Sequence, residues 1–322
     1  MFRGRPASIL ITALVLSAIS GFCLPAALPQ SVRTKSDADI SKIGHRKIVR
    51  DPNFYSHEQE TKLGKQLAQE VERSSKLVDD PVVVTYINQL GQKIVHNSDA
   101  HFPITIRVLD ASTIDSVTLP GGFQYINKGL ILQAETEGEL ASALAYGIAS
   151  TALGAGTREA TKGEITQLAT VPLIQLGPGG WAGVGIYEAS SLTISLMYLK
   201  FRRDFVFDAD YFALQYLYKS GYDPESMPRF FERAWPLMLA GRKPAPNVLS
   251  PFPTVQDRLR AMRAEIQKIL PHRDNATVST SDFEIVKEHL RSWNPPNPKD
   301  PAATKPTSRK LASNSSSSSQ LP

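Results

Sequence analysis

The sequence predicts an α+β fold that is mainly α-helical and carries a small antiparallel sheet. Apolar residues recur at three- and four-residue spacing over long stretches, as in Leu63, Leu67 and Val71. Capping signals punctuate those stretches: Ser56 with Gln59, Thr136 with Glu139, and Thr254 with Asp257. Two short segments have the alternation of half-buried strands, residues 103–110 and Phe123–Asn127.

The first helix starts at Ser56. A second starts at Pro81, which suits the first helical position, with Val84, Ile87, Leu90 and Ile94 as its buried stripe. Pro120-Gly121-Gly122 marks a turn or bulge before the second strand. The helix capped by Thr136 buries Leu140, Leu144 and Ile148 and stops near Gly154. Residues 168–199 are apolar and glycine-rich around Gly177-Pro178-Gly179-Gly180. They read as two buried segments about a turn, with a membrane-inserting hairpin as the alternative. A long helix over Leu192–Lys219 ends at Gly221, Asp223-Pro224 restarts a helix, and the helix capped by Thr254 stops at Pro271.

The chain has 322 residues and a formal net charge of +5, part of it at the ends in Arg3, Arg5, Lys299, Lys305, Arg309 and Lys310. No basic stripe interleaved with aromatics runs through it, so nucleic acid is not an expected partner. Residues 1–27 read as a signal peptide or an N-terminal anchor: Arg3 and Arg5 precede the apolar run Ile9–Ile19, and Ala26-Ala27 follow. The expected organisation continues with a linker over 28–51, one folded domain over 52–292 and a disordered Pro/Ser-rich tail over 293–322. Cys23 is the single cysteine, so neither an intrachain disulfide nor a cysteine-based metal site is available.

Several segments in order carry a family likeness. They are Asp115-Ser116-Val117-Thr118-Leu119-Pro120-Gly121-Gly122, then Gln124 to Leu130, then Glu137-Gly138-Glu139-Leu140-Ala141, then Arg203-Asp204 with Asp208-Ala209-Asp210, then Gly221-Tyr222-Asp223-Pro224, and last Pro253, Thr254 and Arg258. Their order and spacing resemble the gluzincin zinc metallopeptidases of the CAAX prenyl endopeptidase type, which include the BepA-like periplasmic proteases. The resemblance covers roughly residues 52–270 and implies a metallopeptidase-like domain whose sheet packs beside the motif helix. In active members of that family, an H-E-x-x-H helix supplies two histidine ligands and a catalytic glutamate to zinc.

The same alignment places those groups on residues that cannot perform the chemistry. The two histidines fall on Tyr146 and Ser150, the glutamate base on Gly147, the third ligand on Val206, and a further histidine on Phe252. A phenol, a hydroxyl and an isopropyl group are poor substitutes for imidazole and carboxylate. Asp210, which in active members would orient a ligand histidine, persists; it is expected to hydrogen-bond Ser150 or to be solvated, and Arg203 to pair with Asp210 or with the helix end. Of the six histidines (His45, His57, His96, His101, His272 and His289), none falls between residues 102 and 271. Glu135, Glu137 and Glu139 read as charges serving a helix N-terminus rather than a displaced cation site.

The sequence therefore leads to a catalytically inactive peptidase homologue with no zinc or other cofactor. Its expected partners are extended polypeptides or envelope proteins of the bacterial periplasm or cell envelope. Leu119, Pro120, Gly121, Gly122, Phe123, Gln124 and Tyr125 are the expected binding residues, on a strand edge that pairs with a peptide main chain. Two alternatives stand beside this reading: an active zinc endopeptidase with unusual ligands, and a membrane-associated structural protein.

Overall fold

The computed structural model describes residues 33–49, 53–165, 175–176, 196–239 and 252–293. The signal-like segment, most of the glycine-rich stretch over 168–199 and the tail beyond Trp293 lie outside the described residues.

A one-turn helix α1 (Lys35–Ala38) precedes α2 (His57–Ser74), whose start is the reciprocal cap expected of Ser56 and Gln59. The Ser56 N–H donates to the Gln59 side chain at 2.7 Å, and the Gln59 N–H donates back to Ser56 Oγ at 3.3 Å. Helix α3 (Pro81–His96) begins where the Asp80 carboxylate accepts the Val82 and Val83 N–H groups, at 2.8 and 3.1 Å. Its buried stripe is Val83, Ile87, Leu90 and Ile94. Val84 does not belong to that stripe: it lies about 100° round the helix from Val83 and is exposed.

Next come β1 (Thr105–Leu109), β2 (Ser116–Leu119), a single 3₁₀ turn at Pro120–Gly122, and β3 (Phe123–Asn127). With β4 (Gln175–Leu176) they form one sheet in the order β1-β3-β2-β4. The expected antiparallel sheet is in fact mixed. β2 runs back from β1 without pairing to it, and β3 fills the slot between them. β3 is therefore antiparallel to β2 and parallel to β1. Gly121 and Gly122 make the β2–β3 reversal with φ of 70° and 90°, conformations in which a Cβ is disfavoured.

Helices α4 (Lys128–Gln133), α5 (Glu137–Ala152) and α6 (Ala155–Ile165) follow. The chain turns at Gly154 as the sequence predicts, but it re-enters helix at once instead of ending. Beyond β4 lie α7 (Leu196–Lys219), α8 (Ser226–Leu239), α9 (Val255–Ile269) and α10 (Ser281–Ser292). α10 was not anticipated beyond Pro271. Phe283, Val286 and Leu290 bury one face of it against α3 and α4, and the Lys287 ammonium donates to the Ala134 carbonyl at 2.7 Å.

The centre of the molecule is α5, every residue of which is buried. It packs along α7 and also touches α3, α8 and β2. Thr136 caps its start, and the Glu139 carboxylate accepts the Glu135 N–H and pairs with Arg233. Glu137 accepts hydrogen bonds from Tyr222 at 2.5 Å and from Thr280. These carboxylates are thus committed to packing the helix start.

Residues 33–49 were expected to be linker, but they are part of the domain. Ile43 and Ile48 enter the core. The Arg46 guanidinium is buried and donates to Asp99 (Nε to Oδ2, 3.0 Å), to the Asp37 carbonyl at 2.7 Å and to Gln215 at 2.6 Å. Tyr216 Oη donates to the same Asp99 carboxylate at 2.9 Å. Removing one partner of a buried pair strands the other charge, which costs about 3–5 kcal/mol. Arg46→Ala is therefore expected to lower the unfolding free energy by about that amount in urea titration. A change under about 1 kcal/mol would mean that the segment is not tied to the core.

Candidate functional site

The motif positions sit on the buried middle of α5 and on the facing side of α7. Val206 and Asp210 are one turn apart on α7, so both point the same way. Asp210 pairs with Arg258 of α9: Arg258 Nε and Nη2 donate to its two oxygens at 2.8 and 2.5 Å. This corrects the expected partner of Asp210, which is neither Arg203 nor Ser150. Arg258 reaches over the Phe231 ring, 4.0 Å from its centroid, and also lies 5.3 Å from the centroid of the Tyr146 ring. Burial works against the Arg258 charge, but Asp210 outweighs it and holds the guanidinium above its ordinary pKa. Burial pushes the Asp210 carboxyl upward while Arg258 pulls it back.

Tyr146, on the first histidine position, is pushed up to about 12, chiefly by burial and with Arg258 opposing. Its phenol stays protonated at neutral pH, which makes it a poor cation ligand. A second buried pair flanks this region. Arg202 of α7 lies 3.3 Å from Glu159 of α6, and its guanidinium sits 5.0 Å from the Phe252 ring centroid. Phe252 is the position expected to match a further histidine. Nothing in the spacing of Glu159 and Arg202 along the chain announces that they meet.

Gly147, the position expected to match the catalytic glutamate, faces the sheet. A Cβ built on it would lie 2.6 Å from Gln124 Cδ and 2.9 Å from Thr118 Oγ1, with the Gln124 amide nitrogen nearer still. The strand register puts Thr118 opposite Gln124, so both side chains reach α5 from the same face. Gln124 is 1% exposed, and neither polar atom of its amide has a hydrogen-bond partner among the described residues; the same holds for Ser150 Oγ. A cavity of about 10 Å³ beside them, lined by Thr118, Ser150, Thr151, Thr157 and Glu60, is the size of one water.

These residues do not fit zinc. The helix positions offer a phenol, no side chain and a hydroxyl, and the α7 position offers an isopropyl group. The space for a side chain at 147 is taken by an amide. Among the described residues no group of three or more His, Cys, Asp or Glu side chains could hold a metal ion.

The seven expected binding residues are brought together, but not as a free edge. Phe123, Gln124 and Tyr125 lie on β3, an interior strand whose main chain is paired on both sides. Tyr125 Oη donates to Glu72 of α2 at 2.8 Å. Pro120, Gly121 and Gly122 press backbone against backbone: a Cβ on Gly121 would meet Thr61 Cα at 2.6 Å. β2, ending at Leu119, lies on the other side of β3 and is itself paired on both sides. There the chain's own β4 pairs antiparallel with Val117 and Thr118.

The family described as Peptidase family M48 matches residues 82–266. This chain belongs to peptidase family M48. Its M48 relatives include the "Putative beta-barrel assembly-enhancing protease" of Vibrio cholerae, 28% identical over 67% of this chain and 47% of that protein. The "Beta-barrel assembly-enhancing protease" of Yersinia pestis is 27% identical over 73% of this chain and 49% of its own length. That of Escherichia coli is 24% identical over 71% and 47%. The chain thus aligns with about half the length of these relatives.

The Tyr146 environment has a pH signature. Its folded pKa of about 12 exceeds the ordinary 10.0, so the contribution is complete below pH 10 and is lost as pH rises through about 12. Tyr146→Phe is expected to flatten the fall in stability over that window by up to about 1.4 kcal/mol per pH unit. Urea unfolding at stepped alkaline pH measures this, and equal slopes in the two proteins would refute the burial of the phenol.

Proposed function

We propose that this chain is a non-catalytic M48 homologue that binds extended polypeptide and assists protein assembly or quality control in the bacterial cell envelope. In this reading residues 1–27 direct export, and the domain works in the periplasm or at the envelope. The observation that carries it is the centre of α5. Tyr146, Gly147 and Ser150, with Val206 opposite, supply neither a cation site nor a base to activate water. The names of the relatives, which speak of β-barrel assembly, support the envelope role.

The sheet supports the binding mode. β2 pairs antiparallel with the chain's own β4 at Val117 and Thr118, so an extended segment already adds there through main-chain hydrogen bonds, and a bound polypeptide takes the place of β4 or adds beyond it. Leu119 and the Pro120–Gly122 turn then bound the end of the binding edge, and Phe123 to Tyr125 support it from within. Among the described residues no helix is long and apolar enough to cross a membrane.

The test uses the full chain and an unfolded β-barrel protein as probe. The expected result is saturable binding of the intact probe, zinc far below one equivalent on metal analysis, and no fragments on prolonged incubation. Stoichiometric zinc with chelator-sensitive cleavage would overturn the reading in favour of an active endopeptidase. Absence of binding under any condition would overturn the polypeptide-binding half.

A further inference from the structure

We infer that Gln124 is a second lock on the lost reaction, set on the sheet rather than on the motif helix. The inference rests on the non-catalytic reading and adds to it the reason that restoring α5 alone does not reopen the site. Gln124 enters from β3 opposite Thr118, and together they close on Gly147 from the sheet side. Any side chain at 147 begins with a Cβ, and that atom would lie 2.6 Å from Gln124 Cδ, closer than real Cβ contacts come. Something must therefore move before the remaining atoms of a glutamate are considered.

Gln124 has little room to yield. It is 1% exposed, on a strand paired on both sides, so its amide can move only by finding another place among packed neighbours. Neither Gln124 Nε2 nor Oε1 has a partner among the described residues. The amide is thus held in place by packing, and leaving it there unpaired is unfavourable. Gly147 and Gln124 are complementary in volume: the missing side chain on the helix is matched by an amide reaching in from the strand. Thr118 narrows the same space from β2 but is the smaller obstacle, because its Oγ1 stands 2.9 Å away.

A double-substitution cycle tests this in the full chain. The four proteins are the wild type, Gly147→Ala, Gln124→Ala and the double variant, compared by thermal melting followed by circular dichroism. Alanine normally favours a helix over glycine. Here Gly147→Ala alone is expected to lower Tm by about 5–10 °C, as overpacking does. In the Gln124→Ala background the same change should lower Tm by less than about 2 °C or raise it. Equal losses in both backgrounds, or no loss in the wild type, would overturn the inference. If Gly147→Ala fails to fold, recovery of a folded double variant supports the lock, and no recovery refutes it. Zinc uptake by the wild type would instead sink the non-catalytic reading while leaving the outcome of the cycle intact, so the two failures are distinguishable.

Discussion

The complete burial of α5 is the constraint on which the rest depends. A helix with no exposed face must satisfy every polar side chain internally, because an unpaired group away from water is costly. The solutions differ along its length. At the start Glu137 is met by Tyr222 and Thr280, and Glu139 by Arg233. Ser142 and Thr151 turn their hydroxyls back onto carbonyls four residues earlier, at 2.7 and 3.0 Å. In the middle Tyr146 leans on Arg258, and only Ser150 is left without a partner among the described residues. That exception falls on a position where the M48 likeness expects a metal ligand.

The charge balance around the same turn follows from this burial. Two guanidinium–carboxylate pairs, Arg258 with Asp210 and Arg202 with Glu159, stand beside Tyr146 in place of a dication and its ligands. Each pair is internally neutral. Burial raises the carboxyl pKa in both, and the partner arginine opposes it. Such pairs contribute geometric definition more than net stability. They hold α6, α7 and α9 in register about α5 without requiring any ion.

Much of this was legible in the chain. Local chemistry announces itself: the Ser56–Gln59 cap, the Asp80-Pro81 start, the Pro-Gly-Gly reversal and the ends of β3 all stand where the sequence places them. The identities of Tyr146, Gly147, Ser150 and Val206 were likewise plain, since they need no packing to be read. Pairings between distant segments were not legible. Whether β3 lies at the border of the sheet or inside it depends on β1, which neighbouring residues do not encode, so β3 was expected at the border and lies inside. For Asp210 the expected partners were Ser150, solvent or Arg203, whereas Arg258 reaches it from another helix. Gln124 was read as a binding residue because of its strand. Its contact with Gly147 becomes visible only when sheet and helix are packed.

The buried tie at Arg46 bears on the order in which the molecule can be completed. Its side chain meets Asp99, 53 residues downstream, and Gln215, 169 residues downstream. During synthesis the amino-terminal strap therefore emerges before the side chains that Arg46 meets. Closing so large a loop is an entropic cost met only after α7 is in place. The full set of Arg46 partners is accordingly available only once Gln215 is in place, and until then one cation and part of its future pocket remain wet.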